Sequence, residues 1–264
     1  MSYTPLNLKD VVAYVEANIG TFHANRLAKL EALNLGAVLL RKNPYLFRAK
    51  HITTAETLVK SVLDAFLSSQ EETLFGNFME GVAVFVCGRV FGGIKVPLSE
   101  LTGIDLFFER DNRIYIVAIK SGPNWGNSSQ IKKMKDNFLT AKSALAATYP
   151  NIETIAINGC MYGIDANPIK DGGAYIKWCG QDFWALISGS DTIYTEIIEP
   201  LGHQARERNG EFDTAYSRII MRFTGEFITN FCTPEGDIDW QKLVRWTSER
   251  RPPKSSAQRN PRSI

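Results

Sequence analysis

Hydrophobic and polar positions divide the chain into three stretches with different periods. From residue 7 to 34, "LKDVVAYVEANI" and "HANRLAKLEAL" repeat apolar residues at helical spacing, which predicts two helices. "KNPYLFRAKHI" reads as a connector broken by Pro44. "TTAETLVKSVLDAFLSSQ" predicts a helix capped by threonine, and "EETLFGNFMEGVAVFVCGRVFG" a second, largely buried one ended by Gly92, Gly93 and Pro97.

The period then changes from helical to extended. "GIDLFFER" and "RIYIVAIK", joined by turn residues at "RDN", predict a β-hairpin. "SGPNWGN" is a loop, and "SSQIKKMKDNFLTAKSALAATY" a helix capped by Asn127 or Ser128. "ETIAINGCMYG" and "GAYIKWCG" are further strands. From "QDFWALISG" on, the chain is helical again, through "IIEPLGHQARERNGEF" and "SRIIMRFTGEFITNF" to "WQKLVRWTSER". The order predicts an α/β (α+β) fold: a mixed central β-sheet flanked by helices, with helical N- and C-terminal regions. The expected segments are 1–52 (helical), 53–190 (core), 191–249 (helical) and 250–264 (a basic tail). The tail sequence "RPPKSSAQRNPRSI" has three prolines, four basic residues and no acid, a composition expected to be disordered.

Composition narrows the function only a little. With 44% hydrophobic residues in 264, one large core is affordable. The net charge of +2 does not announce a polyanion partner, so local clusters must. Four cysteines form no C-x-x-C pair and three histidines are scattered, which argues against a structural zinc and for a reducing, cytoplasmic setting. No secretory signal is visible, and the longest apolar windows, such as "GVAVFVCGRVFGG", are expected to be too short and too glycine-rich to span a membrane.

One residue stands out against this background. The apolar run from Ile114 to Ile119 ends on Lys120, and a cation at the mouth of an interior strand is costly unless an anion meets it. Antiparallel pairing puts the start of the first hairpin strand beside the end of the second, so Asp105 and Lys120 should lie together. Residue 118 shares the face of Lys120. A plain cross-hairpin salt bridge is the alternative reading of this pair.

Asp105 in "GID", a hairpin, and Lys120 in "AIK" resemble the PD-(D/E)XK nuclease superfamily. The "SGPNWGNSSQ" loop and its helix look like those type II restriction endonucleases that have an N-terminal helical region. The resemblance extends over about residues 36–190. It implies a restriction-endonuclease-like fold and Mg²⁺-dependent hydrolysis of double-stranded DNA at a specific, near-palindromic sequence, with Mn²⁺ able to substitute. It also implies a homodimer, a cognate DNA methyltransferase in the same system and a bacterial cytoplasmic setting.

The family's second acid belongs at position 118, where this chain has Ala118. Three explanations stand. The acid has migrated, with Glu80 in "FGNFMEG" the first candidate and Glu71, Glu72 and Glu100 behind it. The alanine is an engineered change that traps DNA. Or the chain is a natural binder without cleavage. A structure-selective repair nuclease is a further rival. On the first explanation Asp105, Glu80 and the Ile119 carbonyl hold the metal, Lys120 faces the phosphate and the attacking water, and Gln130 supports them. Ser121, Asn124, Asn127, Ser128, Ser129, Lys132, Lys133, Arg206 and Arg208 are the expected DNA contacts. The plainer readings are a helix cap for "NSSQ", a cap or ion pair on a solvated helix face for Glu80, packing for Trp125 and solvated surface for the lysines and arginines.

Overall fold

The structure is a computed structural model that describes residues 4–95 and 101–250; Pro97, Glu100 and the basic segment 251–264 lie outside the described residues. Its elements are α1 (Leu8–Glu31), α2 (Leu35–Leu39), α3 (Pro44–Ala49), α4 (Ala55–Phe91), β1 (Leu106–Arg110), β2 (Arg113–Lys120), α5 (Ser128–Thr148), β3 (Glu153–Cys160), β4 (Ile169–Lys170), β5 (Tyr175–Cys179), α6 (Gln181–Ser188), α7 (Ile193–Glu196), α8 (Ile198–Leu201), α9 (Ala205–Phe231) and α10 (Trp240–Ser248). By packing, described residues 4–26 with 71–95 and 101–210 form one compact unit and residues 27–70 with 211–250 a second. Packing units and the pattern-based segments above are different divisions of the same chain.

The first unit contains the predicted mixed sheet, in the order β1-β2-β3-β5-β4. β1 runs antiparallel to β2, β2 and β3 are parallel, β3 and β5 are parallel, and β4 is antiparallel to β5. The hairpin turns on Asp111 and Asn112, both at positive φ (51° and 56°), the left-handed pair that matches strand twist. Both faces of the sheet are covered, which is why β2 reads as a continuous apolar run. On one face Leu106, Phe108, Val117, Ile119 and Ile157 pack with Val11 and Val15 of α1, Val82 and Val86 of α4, and Phe183 and Trp184 of α6. On the other, Ile114, Ile116, Ala118 and Ala156 pack with Met134, Phe138, Ala141 and Leu145 of α5. The second unit is helical, with a core of Leu58, Val62, Phe212, Phe223, Phe227 and Leu243 among others.

Several expected boundaries are corrected. The two helices expected over residues 7–34 are the single helix α1, the pair expected over 53–92 is the 37-residue α4, and the pair expected from 197 is largely the single helix α9. Polar stretches such as "SSQEET" resemble boundaries locally, but burial of the flanking apolar residues carries the helix through them. The segment expected as a Pro44-broken connector is α3, with the proline in its first turn, where no amide donor is needed, and Asn43 as its cap. The two-residue strand β4 was not foreseen. α4 is also long and apolar enough to cross a membrane by length and composition, contrary to the expectation from shorter windows. Part of its apolar surface packs in protein cores, with Leu58, Val62 and Phe66 in the second unit and Met79, Val82 and Val86 in the first.

Gly159 in β3 packs directly against Phe183 of α6. A Cβ there would stand 2.4 Å from Cε2 of Phe183, which is fully buried and cannot swing away. Gly159→Ala is expected to destabilise the protein by about 1–3 kcal/mol through overpacking. Gly210→Ala, in α9 where an added Cβ meets nothing within 4 Å, should stabilise it by about 0.5–1 kcal/mol. Urea denaturation of the two variants should move in opposite directions.

Candidate active site

The hairpin brings Asp105 and Lys120 together as expected. Asp105 N–H donates to Val117 O at 2.8 Å, continuing the ladder one step past the Leu106–Val117 pair. At the next step the side chain takes over: Ile119 N–H donates to Asp105 Oδ2 at 2.7 Å. The Lys120 ammonium lies 3.7 Å from the same oxygen and donates to the Ile119 carbonyl at 2.8 Å. It also sits over the Trp125 ring, 5.2 Å from its centroid. Both side chains are partly open to solvent, 26% for Asp105 and 29% for Lys120, so the pair is reachable from outside.

Glu80 joins them from α4. A Cβ on Gly76, one turn earlier, would come within 2.7 Å of Ser121 Oγ, so α4 passes close over the end of β2 and its Glu80 face lies toward the site. Lys95 completes the group: its Nζ is 2.7 Å from Glu80 Oε1. Sequence reasoning missed Lys95, because "GGIKVPL" carries only turn signals. The backbone places it, since Ile94 and Phe107 exchange two hydrogen bonds of 2.9 Å and pin residue 94 against β1.

The charges act on one another. Burial pushes the Asp105 carboxyl above the ordinary aspartate range; Lys120, the Ile119 N–H and Lys95 oppose the rise, and the Glu80 carboxylate adds to it. The hydrogen bond to Glu80 raises the Lys95 ammonium, aided by the Glu80 and Asp105 charges.

The loop after β2 is built on a second unforeseen group. Trp125 Nε1 donates to Asn158 Oδ1 at 3.0 Å, and Asn158 Nδ2 donates to the Ala118 carbonyl at 3.3 Å. Asn158 is paired with Ala118 across β2 and β3, and the two are 2% and 1% exposed. Lys177 Nζ ties the loop from the other side through Pro123 O at 2.8 Å. Trp125 is thus a packing residue that also carries Lys120. Ala118 offers only a methyl group beside Asp105.

The remaining candidates fall elsewhere. Gln130 and Asn127 close a reciprocal capping box at the start of α5, with Asn127 N–H to Gln130 Oε1 and Gln130 N–H to Asn127 Oδ1, both 3.0 Å. Asn124, Ser128, Ser129, Lys132 and Lys133 are exposed, and Ser121 is half-buried beneath Gly76. Arg206 is exposed on α9, whereas Arg208 faces His23 of α1, whose pKa is lowered by burial and by the Arg26 and Arg208 charges. Glu71 is paired with Arg26, and Glu72 is exposed. Cys160 and Cys179 are buried core thiols, Cys160 pushed up to about 12 by burial.

The model of one protein family, described as type II restriction endonuclease EcoO109I, matches residues 9–209. The chain belongs to this type II restriction endonuclease family. The match covers β1, β2, α5 and the Asp105–Lys120 pair, and the fold is the restriction-endonuclease-like one that the motif implied. No curated protein matches the chain. Membership in the EcoO109I family makes this a nuclease-family protein, and it implies double-stranded DNA as partner and a divalent metal as the usual cofactor.

The residues present fit such a metal. Asp105, Glu80 and the Ile119 carbonyl are hard oxygen donors, the kind magnesium takes in ones and twos while keeping several waters. No group of three or more His, Cys, Asp or Glu side chains that could hold a metal ion occurs among the described residues, so water and phosphate must complete the shell.

Asp105 yields a prediction for the metal-free protein. Its folded carboxyl binds a proton more tightly than the ordinary value of 3.8 implies. The stability this contributes is complete below that value and is lost as pH rises through the folded pKa. In EDTA, Asp105→Asn should therefore melt above the parent at pH 7, and the gap should close as pH falls toward 4. Thermal melts across that range check it; a gap that widens on acidification contradicts the assignment.

Proposed function

We propose that the chain is a Mg²⁺-dependent type II endonuclease that hydrolyses both strands of double-stranded DNA at a specific, near-palindromic sequence. It acts as a homodimer in the cytoplasm, beside a methyltransferase that protects the same sequence. Two-fold protein symmetry matches two-fold DNA symmetry. The carrying observation is the convergence of the Asp105 carboxylate and the Lys120 ammonium, 3.7 Å apart and both accessible, on the last residues of β2.

Within this proposal residues 53–190 carry the chemistry. Asp105, Glu80 and the Ile119 carbonyl would hold the metal. When bound, the metal acidifies a water and stabilises charge on the phosphate. The protein's own part is positional and electrostatic. Asp105 is fixed by the Ile119 N–H, so its free oxygen has a defined direction. Lys120 is steadied by the Trp125 ring, and it presents its charge to a non-bridging phosphate oxygen and to the attacking water. The water's oxygen bonds to phosphorus as the bond to the leaving sugar oxygen breaks; the attacking water gives a proton to solvent, and the leaving oxygen, which keeps the bonding pair, takes one from solvent. Ser121, Asn124, Ser128, Ser129, Lys132 and Lys133, with the α5 N-terminus, would contact the DNA backbone, joined by Arg206 and Arg208. Gln130 would support the site through the cap of α5.

Ala118 supports a second reading, a DNA-binding protein of the same fold that does not cut. Plasmid cleavage with Mg²⁺ separates the two. On the main reading the chain cuts as it stands, and Asp105→Ala or Lys120→Ala lowers the rate by about 10²–10³-fold while gel-shift affinity in Ca²⁺ is retained. Cutting only after Ala118→Glu marks a decayed or altered site. Silence from both supports the binder.

A further inference from the structure

The two lysines of the site are held very differently. Lys120 has three contacts: Asp105, the Ile119 carbonyl and the Trp125 ring. Lys95 reaches in from the edge of β1 with 65% of its side chain exposed, and its described ion pair is with Glu80. Its backbone is anchored next door by the Ile94–Phe107 bridge, so its ammonium stays tethered near the site whether or not the pair is made.

We propose that Lys95 is the resident counter-cation of the Glu80–Asp105 carboxylates, which a divalent ion must displace, and that it thereby sets the metal affinity of the site. The inference rests on the metal-binding reading above. A metal that uses Glu80 has to take an oxygen that now accepts from Lys95 at 2.7 Å. Two like charges cannot share that oxygen at close range, so lysine and metal compete. The lysine can yield, because an exposed ammonium regains water when it swings out. Lys120, by contrast, keeps the Trp125 ring as a contact when a cation takes the Ile119 carbonyl. The arrangement lets the two carboxylates stand close together in the absence of metal, and it costs affinity when metal arrives.

The test is direct binding of Mn²⁺ to the full chain without DNA, read from the free-ion paramagnetic resonance signal. Lys95→Met and Lys95→Gln should bind Mn²⁺ about threefold to fivefold more tightly than the parent, the scale of one exposed ion pair. Lys95→Arg, which keeps the charge on a long arm, should keep the parent affinity. Equal affinities for Lys95→Met, Lys95→Gln and the parent overturn the proposal. So does a Lys95→Arg variant as tight as Lys95→Met. If the parent shows no Mn²⁺ binding, or binding that neither Glu80→Gln nor Asp105→Asn weakens, the metal-site reading itself fails, and the inference falls with it.

Discussion

At the end of the β1–β2 ladder the amide of Ile119 needs an acceptor, and the Asp105 carboxylate supplies it at 2.7 Å. Buried backbone donors are rarely left unpaired, so the demand is strong. Meeting it with a charged side chain instead of another carbonyl has consequences for everything nearby. The carboxylate is drawn into a partly buried position, which pushes its pKa up. Lys120 then has a reason to end an apolar strand. Its ammonium finds Asp105, the Ile119 carbonyl and an aromatic face within reach, and each offsets part of the cost of leaving water. One side chain thus closes a ladder and fixes the orientation of the group proposed to bind metal.

The surroundings keep that arrangement rigid on the β2 side and loose on the β1 side. Trp125 is tied to Asn158, and Asn158 to the Ala118 carbonyl, across 33 and 40 residues of sequence. Lys177 fastens the same loop at Pro123. A platform fixed from two directions suits a lysine that must not wander. Lys95 has a well-anchored neighbour and an exposed side chain that meets Glu80. On the proposals above, that contrast separates a group placed for chemistry from a group placed for exchange.

How much of this the sequence reveals depends on the range of the interactions involved. The hairpin is legible because Asp111 and Asn112 suit the left-handed turn locally. Asn127 is legible as a cap because capping is decided within four residues. The Asp105–Lys120 meeting follows from register alone. The long helices α1, α4 and α9 are not legible as single elements, because local polar stretches hide a continuity that distant burial enforces. Pro44 reads as a breaker until Asn43 is seen to cap a helix behind it. Asn158 looks like one more strand residue, since its value lies in partners on β2 and the loop. Lys95 is invisible for a similar reason: a two-bond bridge to Phe107 delivers it, and no motif records that.

Charge balance gives the absent acid at position 118 a physical context. With Glu80, Asp105, Lys95 and Lys120, the site has two carboxylates and two ammonium groups, and its formal charge is zero before any ion binds. A third carboxylate at 118 would stand beside Asp105 on a face where Ala118 and Asn158 are almost wholly buried. It would add a negative charge where burial already disfavours one, and only a bound cation would balance it. The alanine spares the metal-free protein that cost and leaves room for the Trp125–Asn158 bond beneath Lys120. The proposed use of Glu80 from α4 has the opposite character. That carboxylate lies nearer solvent, already carries its own counter-ion in Lys95, and can be handed to a metal without leaving a bare charge in the sheet. On the metal-binding proposal, a nuclease built this way would trade some metal affinity for a site whose charges balance without an ion.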